Sequence, residues 1–186
     1  MFGGSAGAWI AMGVLVTGLV GAVGAFFGEA LGGNALALMG AGVAVFVAGL
    51  GSSVAVGIAG EKAAGITSED PDKFGRLLLL QALPGTQGIY GFLVGFLAIF
   101  RMGAFSGGMS LTLEQGWQFF FACLPAALSC LISALYQARV SVAAMDIVAK
   151  HPEESGKALI MPAMVETYAV LGLLASVLLI MFAVRV

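Results

Sequence analysis

The sequence predicts an all-α integral membrane protein: two tandem transmembrane helical hairpins, four helices in all, plus an extra N-terminal hydrophobic helix. Three observations predict it. Of its 186 residues, 60% are hydrophobic and only 10% charged, with a mean hydropathy of +1.05; ordinary soluble domains do not have this balance. The apolar residues fall into runs long enough to cross a bilayer as helices, which satisfy their own backbone polar groups in lipid. The chain also repeats itself at a fixed interval of 81 residues. The 28 glycines point to helices packed closely through small residues.

Residues 1–34 form the extra helix. Positions 6–28 are uncharged and rich in Gly, Ala and Val, and the first Lys or Arg in the chain is Lys62. The basic flank of a signal peptide is therefore missing. Gly32, Gly33 and Asn34 break this helix from the next.

The first hairpin spans 35–105. Its leading helix, about 35–64, carries Gly49, Ser53, Gly57 and Gly60 on one side and Ala44, Ala48, Ser52, Ala55 and Ala59 on another, a pattern that lets backbones approach. A polar turn at 67–73 follows, with Pro71 suited to a helix start. The returning helix reaches about residue 100, and a Gly/Ser-rich link occupies 101–110. The second hairpin spans 106–186. Its leading helix, about 112–150, contains Pro125, expected as a kink. A second polar turn at 150–154 precedes the last helix.

The two hairpins are copies. Shifted by 81 residues, Pro71 meets Pro152, Gly75 meets Gly156, Thr86 meets Thr167 and Gly91 meets Gly172. This is a duplication with both copies inserted the same way. In that register Glu166 meets Gly85, so there is one carboxylate for two hairpins. Lys62, Lys73, Arg76, Lys150 and Lys157 cluster at the two polar turns, and Arg101 and Arg185 lie opposite. The positive-inside rule puts the turns in the cytoplasm.

Several residues read as structural. Cys123 and Cys130 lie two turns apart on one helix, about 10 Å along the axis, too far for a disulfide; they are small packing residues. His151 sits in a charged turn and is solvated. A net charge of −2 without a basic run excludes nucleic acid as a partner.

Glu166 is the one charge in the run 158–184. An ionisable group within a membrane helix marks an ion pathway, a proton relay or a counter-charge; the bland alternative is a hydrogen bond to a neighbouring helix. Depth weighs between them. Counted from Pro71 and Pro152 at 1.5 Å per residue, Thr86, Gln87, Gln137 and Glu166 all lie about 21–24 Å from the turns. Leu83, Thr86, Gln87 and Tyr90 share one helix face at i, i+3, i+4 and i+7. Pro84 lacks an N–H and frees a carbonyl nearby. A polar cluster serving only as helix glue does not require this common depth.

The stretches Leu83-Pro-Gly-Thr-Gln-Gly-Ile-Tyr90 and Met164-Val-Glu-Thr-Tyr168 resemble the two signatures of the V-type rotary ATPase proteolipid, the membrane-ring component known as c or K. Tyr136-Gln-Ala-Arg-Val140 is similar to that family's third helix. The resemblance covers about residue 41 to the C-terminus. It implies a homo-oligomeric ring with the small-residue helices inside, built of a protein that is no enzyme by itself but part of an ion-transporting ATPase or ATP synthase. Glu166 is then the ion carrier. In sodium-transporting members the positions matching Leu83 (backbone oxygen), Thr86, Gln87 and Gln137 complete the ion site, and that matching Tyr90 hydrogen-bonds the carboxylate. Implied partners are a stator membrane subunit with an essential Arg, a central-stalk subunit and lipid, in a bacterial or archaeal plasma membrane. No organic cofactor is implied.

Two cargoes stay open. A proton needs only a carboxyl and one or two hydrogen-bond partners, whereas Na⁺ asks for several oxygens. The number of oxygens in this layer favours Na⁺, with H⁺ the alternative. Outside the rotary family, the alternatives are a small cation transporter and a structural membrane scaffold.

Overall fold

The computed structural model describes residues 6–185, with side chains mainly from Gly32 onward. Residues 1–5 of the N-terminal segment and Val186 of the second hairpin lie outside the described residues. The described residues are almost entirely helical. Among the described residues, four stretches are long and apolar enough to cross a membrane: Gly32–Glu69, Pro71–Arg101, Leu113–Lys150 and Pro152–Ala183.

Helix α1 (Ala6–Glu69) is interrupted at Gly32, whose φ of 73° and ψ of 175° are non-helical and easily reached only by glycine. Gly33 then passes against Gly116 so closely that a Cβ on Gly116 would stand 2.7 Å from the Gly33 Cα. Asn34 clamps the link between the hairpins, donating to Met109 O at 2.9 Å and accepting from Leu111 N at 2.9 Å. The break is therefore also a joint.

The helix runs on to Glu69, past the expected end at 64, and takes in Thr67 and Ser68, which the sequence places in the turn. Ser68 donates back to Gly65 O at 2.7 Å, so a polar side chain is satisfied without leaving the helix. Asp70 then caps a 3-10 turn at Pro71–Lys73 by accepting from Asp72 N. The hydrogen-bonded Lys73 ammonium, 2.9 Å away, holds the Asp70 carboxyl below its ordinary range.

The returning arm of the hairpin comes in two pieces, α2 (Phe74–Ala82) and α3 (Thr86–Arg101), separated by a 3-10 turn at Leu83–Gly85. Gly103 and Gly107, both with positive φ, turn the chain. Helix α4 (Leu113–Lys150) starts at a capping box, Thr112 with Gln115. It stays helical across Pro125, where Ser176 of the last helix accepts the Ala126 N–H at 3.0 Å. Another 3-10 turn, Pro152–Glu154, leads into α5 (Ser155–Leu178), which ends in a π-helical turn at Leu179–Ala183.

Packing follows the duplication. A Cβ on Gly91 would stand 2.5 Å from Ala44 O, and one on Gly172 2.8 Å from Pro125 O. Both members of the second pair lie 81 residues after those of the first, so the returning helix of each hairpin closes on its leading helix at the same place. The leading helices α1 and α4 pack on one another: a Cβ on Gly51 would meet the Leu131 Cα at 2.8 Å, and one on Gly40 the Phe120 Cα at 2.6 Å. Ala44, Ala48, Ser52, Ala55 and Ala59 are buried, while Ser53 and Gly57 face outward. Cys123 and Cys130 are free and buried. At the polar end Lys62 pairs with Asp146 at 2.7 Å, and Lys73 donates to Ala149 O at 2.8 Å, tying the two turns together. His151 is well exposed and lies 3.5 Å from Glu153.

Candidate functional site

Pro84 builds one wall of the site. It has no N–H to give to the helix ladder, and the chain tightens into the 3-10 turn before α3 resumes. The turn brings the Thr86 hydroxyl to 2.9 Å from Leu83 O. Thr86, Gln87 and Tyr90 then point from α3 toward α4 and α5. The facing wall carries Gln137 on α4 and Glu166 on α5, one turn past Pro162.

Glu166 is the node. Its Oε1 accepts from the Thr86 hydroxyl at 2.7 Å and from the Tyr90 hydroxyl at 2.5 Å, and its Oε2 accepts from Gln137 Nε2 at 3.3 Å. Gln87 and Gln137 are fully buried. Gln87 Nε2 donates to Gln137 Oε1 at 2.5 Å and to Ser133 Oγ at 3.3 Å. All the residues singled out from the sequence, Leu83 through its carbonyl included, thus meet in one cluster.

Oxygens crowd around Thr86. Its hydroxyl has a single proton, yet three acceptors lie within reach: Glu166 Oε1 at 2.7 Å, Leu83 O at 2.9 Å and Gln87 Oε1 at 3.4 Å. One proton serves one acceptor at a time. The arrangement gives a concentration of oxygen lone pairs beside one carboxylate, the chemistry that receives a hard monovalent cation.

Gln137 does not turn its amide oxygen toward Glu166. Its nitrogen faces the carboxylate and also donates to Pro162 O at 3.1 Å, while its oxygen is taken by Gln87. The reason is local: two acceptors flank one side of the amide and a donor the other.

Sequence reasoning missed two serines. Ser133 donates to Val165 O at 3.0 Å and accepts from Gln87; Ser52 accepts the Gly88 N–H at 2.8 Å. Ser133 precedes Gln137 by one helical turn, and that spacing was the available signal. Ser52 is its copy 81 residues earlier and read only as a packing residue. In the first hairpin, Val56 and Gly85 stand where the second has Gln137 and Glu166, and a Cβ on Gly85 would meet Val56 Cγ2 at 3.3 Å. That counterpart is apolar.

Known proteins match the same stretches. The family of the ATP synthase C subunit matches residues 39–98 and again 120–179; the second match begins 81 residues after the first, since 120 − 39 = 81. The chain is 43% identical over 152 residues to the V-type sodium ATPase subunit K of Enterococcus hirae, covering 82% of this chain and 94% of that protein. It is 42% identical over 145 residues to the A-type ATP synthase subunit K of Methanocaldococcus jannaschii, covering 78% of this chain and 61% of that protein. With one match in each hairpin and relatives this similar over most of its length, the chain belongs to the family of the ATP synthase C subunit.

Proposed function

We propose that this chain is the ion-carrying ring subunit of a V-type rotary ATPase and that Glu166 carries Na⁺. The observation behind the reading is the Thr86 hydroxyl, which stands among three acceptor oxygens with one proton to give. A cation between Glu166 Oε1, Thr86, Gln87 Oε1 and Leu83 O would satisfy all of them. Gln137 completes the shell by turning its amide so that Oε1 replaces Nε2. The name of the Enterococcus hirae relative, a sodium ATPase subunit, supports the choice of ion.

The mechanism follows from charge. An ionised Glu166 facing lipid costs several kcal/mol. One bound Na⁺ makes the site neutral and lets it travel through lipid as the ring turns. Tyr90 holds the carboxylate in place throughout. An Arg on a stator membrane subunit would favour the empty carboxylate and release the ion. Each charge crossing the membrane potential is worth about 2.3 kcal/mol per 100 mV, so several steps couple to one ATP through a central stalk. The chain is a component of that motor and no enzyme by itself. In a bacterial or archaeal plasma membrane, Lys73, Lys157 and their neighbours put the two polar turns on the cytoplasmic side.

The test is competition. A carbodiimide reacts with a protonated carboxyl, so Na⁺ should slow labelling of Glu166 while K⁺ at equal concentration does not. Labelling equally fast with and without Na⁺, from mildly acidic to neutral pH, would assign the site to the proton.

A further inference from the structure

Ser133 lies on α4, one helical turn before Gln137, and is almost fully buried. Its hydroxyl has one proton and two lone pairs. The proton goes to Val165 O on α5, at 3.0 Å. A carbonyl can only accept, so this bond cannot be reversed. Ser133 therefore turns a lone pair to Gln87 and accepts from its Nε2 at 3.3 Å.

Gln87 needs such a partner. The two ends of an amide are alike in size and opposite in hydrogen bonding: the oxygen accepts and the nitrogen donates. Turned one way, Gln87 gives an oxygen to the cluster around Thr86. Turned the other way, it aims N–H groups at the place of the proposed cation and repels it. Packing around a fully buried side chain does not tell the two apart, since the shapes are the same. Hydrogen bonds do. Both protons of Gln87 Nε2 are taken, one by Gln137 Oε1 at 2.5 Å and one by Ser133. Gln87 Oε1 is thereby left on the side of Thr86, 3.4 Å from its hydroxyl.

The two acceptors are not equivalent. Gln137 Oε1 is the atom that turns to the cation in the proposed function. Once turned, it no longer holds Gln87. Ser133 stays, because its proton is tied to the backbone of α5. It is then the one acceptor left for Gln87 Nε2 among the described residues. Val165 is the neighbour of Glu166 in the chain, so the bond that orients Gln87 is anchored beside the carboxylate.

The first hairpin lacks this series of bonds. Ser52, the copy of Ser133, accepts the Gly88 backbone N–H at 2.8 Å, and Val56 stands in place of Gln137. A backbone N–H has no second orientation to choose. The serine orients an amide only in the hairpin that holds the carboxylate.

We propose that Ser133 is a positioning residue for cation binding: it fixes the amide of Gln87 with its oxygen toward the cation and its nitrogen toward α4, and it does so alone once Gln137 has turned. The proposal rests on the cation site of the proposed function.

Carbodiimide labelling of Glu166 on the assembled oligomer, read by mass spectrometry, tests it through two midpoints. The first is the Na⁺ concentration that halves labelling at fixed pH. The second is the pH that halves labelling without Na⁺, which reports proton binding to Glu166. Ser133 hydrogen-bonds Gln87 and Val165 and not Glu166. Ser133→Ala should therefore raise the first midpoint about two- to tenfold and leave the second unchanged. A serine that only ties α4 to α5 would move both midpoints or neither, and any outcome other than a change in the first alone overturns the proposal. Should Ser133→Ala fail to assemble, Ser133→Cys keeps the volume and offers only a weak acceptor; the same change in the first midpoint alone is expected, and native values for both overturn the proposal. The native chain separates the two readings. If Na⁺ does not protect it, the cargo falls and this role falls with it. If Na⁺ protects it and Ser133→Ala equally, the role falls and the cargo stands.

Discussion

Replacing Thr86 with valine removes one hydroxyl and keeps the shape of the side chain. In the structure that hydroxyl lies 2.7 Å from Glu166 Oε1, 2.9 Å from Leu83 O and 3.4 Å from Gln87 Oε1. It donates to the carboxylate and, in the proposed site, would also give an oxygen to the cation. A hydrogen bond to a charged group is worth about 1.5–3 kcal/mol, and each 1.4 kcal/mol is about tenfold in an equilibrium constant. Thr86→Val should therefore weaken Na⁺ binding about 10- to 100-fold. Thr86→Ser, which keeps the oxygen, should fall within about threefold of the native chain. The assay is the Na⁺ concentration that halves carbodiimide labelling of Glu166, read by mass spectrometry at fixed pH. Equal half-protection concentrations for Thr86→Val and the native chain would refute the claim that the Thr86 oxygen cluster holds the ion.

Two further outcomes follow from the same geometry. Glu166→Gln should abolish ion-coupled transport in the reconstituted complex and leave the oligomer's mass unchanged, because the amide keeps the volume and loses the charge. Gly91→Leu should destabilise the first hairpin by about 1–3 kcal/mol through overpacking, since even a Cβ there would stand 2.5 Å from Ala44 O; a lowered midpoint of thermal unfolding in detergent checks it, whereas the same substitution at Gly75, where a Cβ would meet nothing within 4 Å, should be nearly neutral.

Depth was legible in the sequence and direction was not. Each residue of a membrane helix advances about 1.5 Å along one axis, so counting from Pro71 and Pro152 is enough to put Thr86, Gln87, Gln137 and Glu166 in one layer. The interval of 81 residues likewise places Gly172 where Gly91 stands, and the structure closes both on the same carbonyl position of the leading helix. Helix ends were less legible: Ser68 bonds back to Gly65 O and stays helical, although its polarity reads as turn.

The sequence alone determined the fold class, the duplication and the common depth of the polar residues, because hydropathy and spacing are properties of a single helix. Only the tertiary structure decided how far each helix is rotated about its own axis. That rotation is set by close contacts between helices, Gly51 on Leu131 and Gly95 on Ala41 among them, which involve residues far apart in the chain. It turns Thr86 and Tyr90 onto Glu166 and brings Ser133 into the cluster, and the donors and acceptors it gathers around Gln137 direct the amide nitrogen inward. These assignments depend on which neighbours surround a side chain, and that information is absent from the spacing of any one helix.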